Sequence, residues 1–295
     1  MLITFVVFLL ESSPLLRRLL WRWWYGRLAK RYQAGDWTFM NYGFLEVHDD
    51  SGRASPVAPA KSGPTPATSA KEALSSLALA KEDEPDRLCI QLYHRVASAT
   101  NLANKTVLEV GSGRGGGASF VARYHHPAKI TGADFSPQAV ALCQQRHAAV
   151  SNLAFVVGDA ERLPFPDASF DAVLNVESSH CYGHIDRFFA EAVRVLRPGG
   201  WFLYTDFRPA SEIPAWHAEL AAQAGWTQVE HEDITAAVAA ALEADDARKR
   251  KLIAELIPPA FQHLFGEFAG LAGGQMHTAF RQRGMLYHRF AFRRK

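Results

Sequence analysis

From Lys105 onward, short apolar runs alternate with stretches whose apolar positions recur every three or four residues. The short runs predict buried strands, and the three-to-four spacing predicts helices that pack by one face. Strands that alternate with helices predict βαβ units, and hence a mostly parallel α/β sheet with helices on both faces. Strands are expected at TVLEV (106–110), KITGADF (129–135), LAFVVGDA (153–160), FDAVLNVE (170–177), GGWFLYTDF (199–207), WTQVEHEDIT (226–235) and LYHRFAFRRK (286–295).

The N-terminal pattern is different. MLITFVVFLL is apolar, but Glu11 and Pro14 follow at once, and a bilayer span needs about 20 apolar residues. The positive charges follow this run instead of preceding it, which disfavours a secretory signal. Over 15–31, leucine and tryptophan recur at helical spacing beside arginine and lysine. This amphipathic helix suits either a lid packed on its own domain or peripheral membrane or lipid contact through residues 1–31.

Composition divides the chain into three parts. SGRASPVAPAKSGPTPATSA (51–70) predicts a flexible linker, because it has almost no large apolar side chain to offset the entropy of ordering it. It separates an N-terminal helical extension at 1–50 from a domain at 71–295, whose first helix should run from about 71 to 99 with a break around Glu84 and Pro85. Between the last two strands we expect helices that roof a pocket, with Phe261, Phe265 and Phe268 in the core and EADDARKRK (243–251) as a solvated face.

Charge and cysteine content narrow the partners and the compartment. The net charge of +2 is too small to predict nucleic acid as a partner. Cys89, Cys143 and Cys181 have neither CxxC spacing nor the even number of a disulfide framework. A reducing cytoplasm is therefore expected, with peripheral attachment to a membrane if the N-terminal helix binds lipid. No pattern in the chain predicts the oligomeric state.

A glycine-rich loop, LEVGSGRGGG (108–117), follows the first strand and lets a ligand approach bare backbone. A dinucleotide, a nucleoside triphosphate or S-adenosylmethionine (SAM) could fill it. A triphosphate loop needs Gly-Lys-Ser/Thr, and no lysine lies between Lys105 and Lys129. The glycines also permit the GxGxxG spacing of a dinucleotide loop, so the loop alone does not decide. The accompanying features do: Glu109 before the loop, Asp134 ending the second strand, Gly158-Asp159-Ala160 ending the third, and VLRPGGW entering the fifth.

Together, VLEVGSGRGGG, GADFS, GDAERLPFPDASFDAVLNVE and VLRPGGW resemble the class I SAM-dependent methyltransferases over about residues 85–210. More closely, LYHR, GRGGGAS, LNVESSHCY, AEAVRVLRPGG and FMNYGF (39–44) resemble the phthiotriol/phenolphthiotriol dimycocerosate methyltransferases, which O-methylate a hydroxyl of a long polyketide-derived lipid. The resemblance weakens after about residue 220. It implies a Rossmann-like fold with a seven-stranded sheet, SAM as cofactor and a hydrophobic small-molecule acceptor.

The resemblance also implies a role for each matched residue. The loop glycines would admit the methionine moiety, Asp134 would accept hydrogen bonds from the ribose hydroxyls, and Asp159 with Ala160 would meet the adenine edge. Asp134 could instead cap a helix, because D-F-S-P is also a capping pattern. Asn175 and Glu177 would face the methionine end and the acceptor. The cofactor set is Glu109, Gly111, Ser112, Gly113, Gly115, Asp134, Phe135, Asp159, Ala160 and Asn175.

The segment ESSHCYGH (177–184) carries the candidate base. SAM has its own leaving group, so the protein must place the reactants in line and remove the acceptor proton. An aliphatic alcohol gains most from a base that titrates near neutrality, as histidine does. His180 is the first candidate, with Glu177 close enough in sequence to orient it, and His184, Glu177 itself and His277 are alternatives. No carboxylate pair has a metal-ligand spacing, so no metal site is expected.

The expected function is SAM-dependent O-methylation of a hydroxyl on a bulky apolar natural product, polyketide- or lipid-derived. C-methylation of a polyketide or isoprenoid stays open, because one fold and cofactor loop serve both reactions. A cyclisation catalyst that binds SAM without transferring its methyl group is the alternative from another class. A nicotinamide oxidoreductase is disfavoured by the motifs that accompany the loop.

Overall fold

The computed structural model describes residues 13–32, 37–46 and 77–295. Seven strands form one sheet: β1 Thr106–Val110, β2 Lys129–Asp134, β3 Leu153–Val157, β4 Phe170–Val176, β5 Leu196–Pro209, β6 Trp226–Asp233 and β7 Met285–Arg294. Their order is β3-β2-β1-β4-β5-β7-β6. β7 runs antiparallel to β5 and β6, and the other neighbours are parallel. The predicted seven-stranded, mostly parallel sheet is confirmed.

Helices surround this sheet. They are α1 Pro14–Arg31, α2 Arg87–Ala97, α3 Gly116–Tyr124, α4 Pro137–Arg146, α5 Ile185–Val195, α6 Ile213–Ala222, α7 Thr235–Ala244, α8 Asp246–Leu256, α9 Pro259–Ala269 and α10 Gln275–Arg281. None of the described helices combines the length and apolarity needed to span a bilayer.

The sheet has a core on each face. Val107 and Leu108, consecutive residues of β1, are both fully buried but belong to different apolar clusters. The cluster around Val107 includes side chains of α2, α3, α4, α7 and α10. The cluster around Leu108 includes Phe188 and Phe189 of α5 and Trp216 of α6. Because both faces of the parallel strands are covered, these strands read as continuous apolar runs in the sequence.

β5 is longer than the pattern predicts. It was expected over 199–207 and extends over Leu196–Pro209. It pairs antiparallel with β7 from Trp201 opposite Arg293 to Pro209 opposite Met285, and Leu196 pairs with Phe170 of β4. Pairing with other strands, which no local pattern encodes, accounts for the added residues at both ends.

The N-terminal helix α1 lies on the carboxyl-edge side of the fold. Ala29 packs with Ala139 and Leu142 in a small buried cluster, and Leu28 packs with Ile257 and Phe265 in another. The segment 37–46 then runs across the domain, where the Phe44 N–H donates to Leu88 O and the Leu45 N–H to Ala237 O. The helix and this segment therefore join the first part of the chain to its last part.

Two predictions fall near the start of the domain. The linker predicted at 51–70 lies outside the described residues. The helix expected from about 71 is wrong over 77–83, which is not helical, but the expected break around Glu84 and Pro85 is confirmed. A short 3-10 turn at Glu84–Asp86 contains Pro85, and α2 begins only at Arg87. Proline lacks the backbone N–H that a continuous helix would need at this position.

The C-terminal helices also differ from expectation in detail. Phe265 is buried as predicted, but Phe261 is 55% exposed. The charged stretch 243–251 was expected to be solvated, yet Asp245 and Lys249 within it are buried. Burial is possible because the Asp245 carboxylate accepts two bonds from Arg248, and Lys249 Nζ donates to the carbonyl of Ala269.

Candidate active site

The glycine-rich loop follows β1 at the carboxyl edge of the parallel strands. Gly111, Gly113 and Gly115 have positive φ angles of 78°, 53° and 82°, which favour residues without a Cβ. A Cβ on Gly111 would lie 1.8 Å from Ser178 Oγ, so even alanine would not fit. The Gly111 N–H donates to Ala133 O at 2.8 Å, which ties the loop to β2. The loop therefore presents bare backbone to the space above the strands.

Asp134 ends β2 beside this loop. Its Oδ2 accepts the Gly113 N–H at 2.8 Å, and its Oδ1 accepts the Ser136 N–H at 2.9 Å. Burial raises the pKa of Asp134 to about 6, although these two bonds oppose the rise. Ser136, whose Oγ accepts the Ala139 N–H, caps α4. The helix-cap alternative for Asp134 is therefore wrong, and its carboxylate remains at the mouth of a cleft.

The cleft opens above the carboxyl ends of β1 to β4, where ligands bind in open α/β sheets. Its empty volume, up to the open mouth, is about 1200 Å³. The predicted cofactor residues that line it are Gly111, Ser112, Gly113, Asp134, Phe135, Asp159 and Ala160, whereas Glu109, Gly115 and Asn175 do not. Bare loop backbone, a carboxylate and an aromatic ring fit the amino-acid, ribose and adenine parts of SAM.

Glu109 and Asn175 support the cleft from below. Glu109 is buried under the loop, and its Oε1 accepts the hydroxyl of Tyr93, a residue that does line the cleft. Burial raises the pKa of Glu109 to about 8. Asn175 Nδ2 donates to Val110 O at 2.8 Å and to Tyr182 Oη at 2.9 Å. Neither side chain lines the cleft, and the hydrogen bonds that they make hold the wall and the end of β1 in place.

His180 lies in the cleft on the 3-10 turn Ser179–Cys181, just after β4. Its Nδ1 is 2.8 Å from Oδ1 of Asp206 on β5, and its backbone N–H donates to Oδ2 of the same carboxylate at 3.0 Å. Asp206 is fully buried, whereas the His180 side chain is 22% exposed. In neutral His180 the Nδ1–H donates to Asp206, so the ring lone pair is on Nε2.

Glu177 does not orient His180, which corrects the expectation from sequence. Its backbone has a positive φ of 46°, and its Oε1 accepts both the Tyr42 N–H and the Tyr287 hydroxyl, each at 2.8 Å. The side chain lines the cleft but is held by β7 and by the segment 37–46. The orienting carboxylate comes from β5 because adjacent parallel strands bring their carboxyl ends together.

Opposed effects set the pKa values of these groups. Burial alone would lower the pKa of His180, but Cys181 and the Asp206 carboxylate outweigh it and raise that pKa well above its usual value. Burial raises the pKa of Glu177 to about 7, although its two donors and the neighbouring imidazolium oppose the rise. Burial would likewise raise the pKa of Asp206, but His180 and Arg208 hold it far below its usual value. Asp206 is therefore ionised at neutral pH.

The two alternative histidines lie outside the cleft lining, whereas Glu177 is part of it. His184 precedes α5, where its backbone N–H donates to Glu161 Oε1, and it does not line the cleft. His277 is on α10, with its Nε2 3.0 Å from Glu243 Oε1, also outside the cleft lining.

Sequence analysis missed Asp206, Tyr42 and Tyr287. A signal for Asp206 was present, because TDF at 205–207 repeats the acid-Phe ending of ADF at 133–135. Tyr42 lies within the quoted FMNYGF, but nothing local shows that its N–H meets Glu177. Tyr287 had no signal, because only the antiparallel return of β7 brings it there.

The N-terminal helix forms part of the cleft wall. Trp21 and Arg22 line it, and the Arg22 guanidinium lies 4.7 Å above the Phe135 ring. The Trp21 and His180 rings meet edge to face, with centroids 6.5 Å apart.

The sheet order, with one antiparallel strand inserted at the β5 edge, and the glycine loop that faces an acid define a class I SAM-dependent methyltransferase. Residues 108–204 match the family model described as "Methyltransferase domain". SAM is the cofactor, and the chain is an enzyme that transfers its methyl group.

Comparison with known proteins identifies the family within this class. The phthiotriol/phenolphthiotriol dimycocerosates methyltransferase of Mycobacterium tuberculosis is 39% identical over 272 residues, which cover 92% of this chain and 91% of that protein. A fatty-acid O-methyltransferase of Mycolicibacterium smegmatis is 54% identical over 143 residues, 48% of this chain and 52% of that protein. The crystal structure of the cyclase SpnF has a TM-score of 0.63 and 22% identity over 96% of both chains, a similarity of fold alone. This chain belongs to the phthiotriol/phenolphthiotriol dimycocerosates methyltransferase family.

Proposed function

We propose that the enzyme methylates a hydroxyl group of a bulky, apolar, lipid- or polyketide-derived acceptor, and that His180 removes the hydroxyl proton. The observation that carries this proposal is the His180–Asp206 pair, which places an oriented imidazole in the cofactor cleft. An aliphatic hydroxyl is a weak nucleophile until it loses its proton, so an oriented base is what O-methylation requires.

An apolar cavity beside the cleft supports the acceptor class. It has an empty volume of about 640 Å³ and shares Phe39, Met40, Asn41, Tyr42 and Phe268 with the cleft. Leu252, Ile253 and Leu256 of α8, Phe265 of α9 and Ile257 between the two helices form much of its remaining wall. The charged residues Arg248 and Lys249 of α8 also line it. A long apolar chain could occupy this cavity while its hydroxyl reaches His180. Two relatives, named for dimycocerosates and for a fatty acid as acceptors, support the same class.

The roles of the chain's own residues follow from the geometry. Bound SAM supplies an electrophilic methyl group on a sulfonium. We assign its contacts to the loop backbone, Asp134, Phe135, Asp159 and Ala160. Nε2 of His180 accepts the hydroxyl proton, and the Asp206 carboxylate stabilises the resulting imidazolium and fixes the ring. Glu177, held by Tyr42 and Tyr287, shapes the wall beside them.

We also propose that α1 touches a lipid surface from which the acceptor is taken. Leu16, Leu19 and Trp23 are 45%, 50% and 57% exposed. The exposed cations Arg22, Arg27, Lys30 and Arg31 accompany them on the same helix. Apolar insertion combined with attraction to anionic headgroups is the usual basis of peripheral binding.

One experiment tests the reaction and its base together. Purified enzyme is given SAM labelled with carbon-13 in the methyl group and a long-chain diol, and S-adenosylhomocysteine and the product NMR spectrum are recorded. The labelled carbon should be bonded to oxygen. A labelled carbon bonded to carbon would show C-methylation. A cyclised product formed without S-adenosylhomocysteine would show a catalyst that does not transfer the methyl group. Either result would overturn the proposal.

In the same assay, His180→Ala should lower turnover by about 10²- to 10⁴-fold, the usual contribution of one acid–base group. SAM affinity, measured by calorimetry, should stay within about twofold because the imidazole is assigned to the acceptor. His184→Ala is the matched control and should keep wild-type turnover. A folded His180→Ala enzyme with more than about a third of wild-type turnover would rule out the base assignment.

A further inference from the structure

Three histidines from separate elements meet at the antiparallel edge of the sheet, away from the cleft. His217 is on α6, His231 on β6 and His288 on β7. His288 Nδ1 lies 2.9 Å from His217 Nε2 and 3.0 Å from His231 Nε2. One ring nitrogen from each residue lies within 4.8 Å of the other two. None of the three lines the cofactor cleft.

Hydrogen bonding alone does not satisfy this arrangement. A neutral imidazole has one N–H and one lone pair, so His288 Nδ1 can make one full hydrogen bond, yet two ring nitrogens approach it. The other nitrogen of His288, Nε2, is buried without a hydrogen-bond partner, and the nearest carboxylate oxygen, of Asp233, is 3.8 Å away. With the proton on Nε2, facing that carboxylate, the Nδ1 lone pair points at the other two rings. A cation at this point would accept a lone pair from every ring.

The surroundings favour neutral, fixed rings. Partial desolvation of the rings lowers the pKa of His217 and His231, and burial lowers that of His288 to about 4. Neutral imidazole is the form that binds metal ions. The Phe290 ring stacks on His231 with centroids 4.6 Å apart, and the Trp216 ring lies 5.9 Å from that of His288. Rings that are already held in place lose little freedom when they bind an ion.

We propose that His217, His231 and His288 form a binding site for one divalent transition-metal ion of the Zn²⁺ type. Three imidazoles suit zinc, cobalt, nickel or copper and do not suit Mg²⁺ or Ca²⁺, which prefer oxygen. Zn–N bonds of about 2.0–2.1 Å require nitrogens about 3.3 Å apart. The two distances to His288 Nδ1, 2.9 and 3.0 Å, need to open by tenths of an ångström, and the nitrogens of His217 and His231, which lie within 4.8 Å of each other, need to settle at a similar separation. His231 is exposed and gives the ion a way in, with a fourth position left for water.

The site was not expected from sequence because its ligands are far apart in the chain. His288 is 71 residues from His217 and 57 from His231, whereas a metal motif in a sequence is recognised by the short spacing between its ligands. The ion would join α6 to β6 and β7 and clamp the antiparallel edge of the sheet. This role is structural and independent of the proposed methyl transfer.

The test uses full-length protein freed of metal with a chelator and titrated with Co²⁺ alone, whose visible absorption reports nitrogen ligation. One equivalent should bind with the intense bands of a four-coordinate ion, and Zn²⁺ should displace it. His217→Ala and His231→Ala should each weaken Co²⁺ binding by about tenfold or more, the scale expected when a ligand or its support is lost. His277→Ala, which removes a histidine elsewhere on the domain, should bind like wild type.

A second measurement separates this site from adventitious binding. An ion that binds only the folded protein raises its melting temperature. Zn²⁺ should therefore raise the melting temperature of the wild type and of His277→Ala, but not that of His217→Ala. If both histidine variants still bind Co²⁺ like wild type, the ligands are other residues, such as cysteines, and the proposal is overturned. It is also overturned if the wild type binds no equivalent of Co²⁺.

Discussion

At the scale of single residues, the bond between His180 and Asp206 sets the pH at which the base is available. Because the pKa of His180 is raised, the neutral base becomes available at a higher pH than it would for an ordinary histidine. We expect kcat/KM for the acceptor to rise with pH, with the midpoint of the rise above the usual pKa of histidine.

Replacing Asp206 with Asn removes the negative charge that favours the imidazolium, so it should move this limb to lower pH. It should also lower the maximal rate, because an amide can present its N–H₂ to Nδ1 and disturb the tautomer. The pH profiles of both proteins, measured with saturating SAM, give the comparison. An Asp206→Asn limb at the wild-type pH would show that another group titrates.

Asp134 is the second residue whose contacts lead to a prediction. Its carboxylate already holds the Gly113 N–H and is assigned to the ribose, so Asp134→Ala loses ligand contacts and loosens the loop. Charge-assisted bonds contribute about 1.5–3 kcal/mol each, so SAM affinity should fall by at least about tenfold. Calorimetry on the folded variant measures this, with Asp167→Ala, an exposed acid outside the cleft, as control. Unchanged affinity would remove Asp134 from the cofactor site.

At the scale of elements, α1 has two different faces. One packs on α4 and α9, and the other exposes Leu16, Leu19 and Trp23. Replacing these three with Ser should abolish co-sedimentation with anionic phosphatidylglycerol vesicles and leave the melting temperature unchanged. Val229→Ser, an equally exposed apolar residue on β6, is the control.

Point changes are a sharper test than deletion of residues 1–31, which would also remove Trp21 and Arg22 from the cleft wall. Undiminished vesicle binding by the triple variant would contradict the proposed lipid contact. Binding lost equally in Val229→Ser would point to a nonspecific apolar effect.

The strands were predictable because each is apolar, short and bounded by turns. β1 was predicted to the residue, and β2, β3 and β4 begin where expected. Local patterns fail where a distant partner decides, as in the extra length of β5 and the buried Lys249. The same holds for the candidate site. The glycine loop and the acids beside it could be predicted because they follow the ends of strands. That Asp206 and not Glu177 orients His180 depends on side-chain directions that only the folded sheet sets.

At the scale of the whole molecule, buried carboxyl groups make stability depend on pH. Glu109 has a pKa of about 8 in the folded chain, against 4.5 for an exposed glutamate. The unfolded chain therefore releases this proton first, and the contribution of Glu109 to stability is complete below about pH 4.5 and declines as the pH rises to about 8.

Glu109→Gln keeps the size of the side chain and an acceptor for Tyr93 but cannot ionise. Relative to wild type, it should gain stability between pH 5 and pH 8, by at most about 1.4 kcal/mol per pH unit. Denaturant unfolding at several pH values measures the difference. Parallel curves for the two proteins would show that Glu109 does not titrate in this range.

The packing of Leu28 against Ile257 and Phe265 has a consequence for how the chain is made. Ribosomes release a chain from its N-terminus, so α1 leaves the ribosome before the residues on which it packs. Ala139 and Leu142 of α4 follow first, and Ile257 and Phe265 follow more than two hundred residues after Leu28. One wall of the cleft is therefore translated early but can be completed only when the last part of the chain has been made.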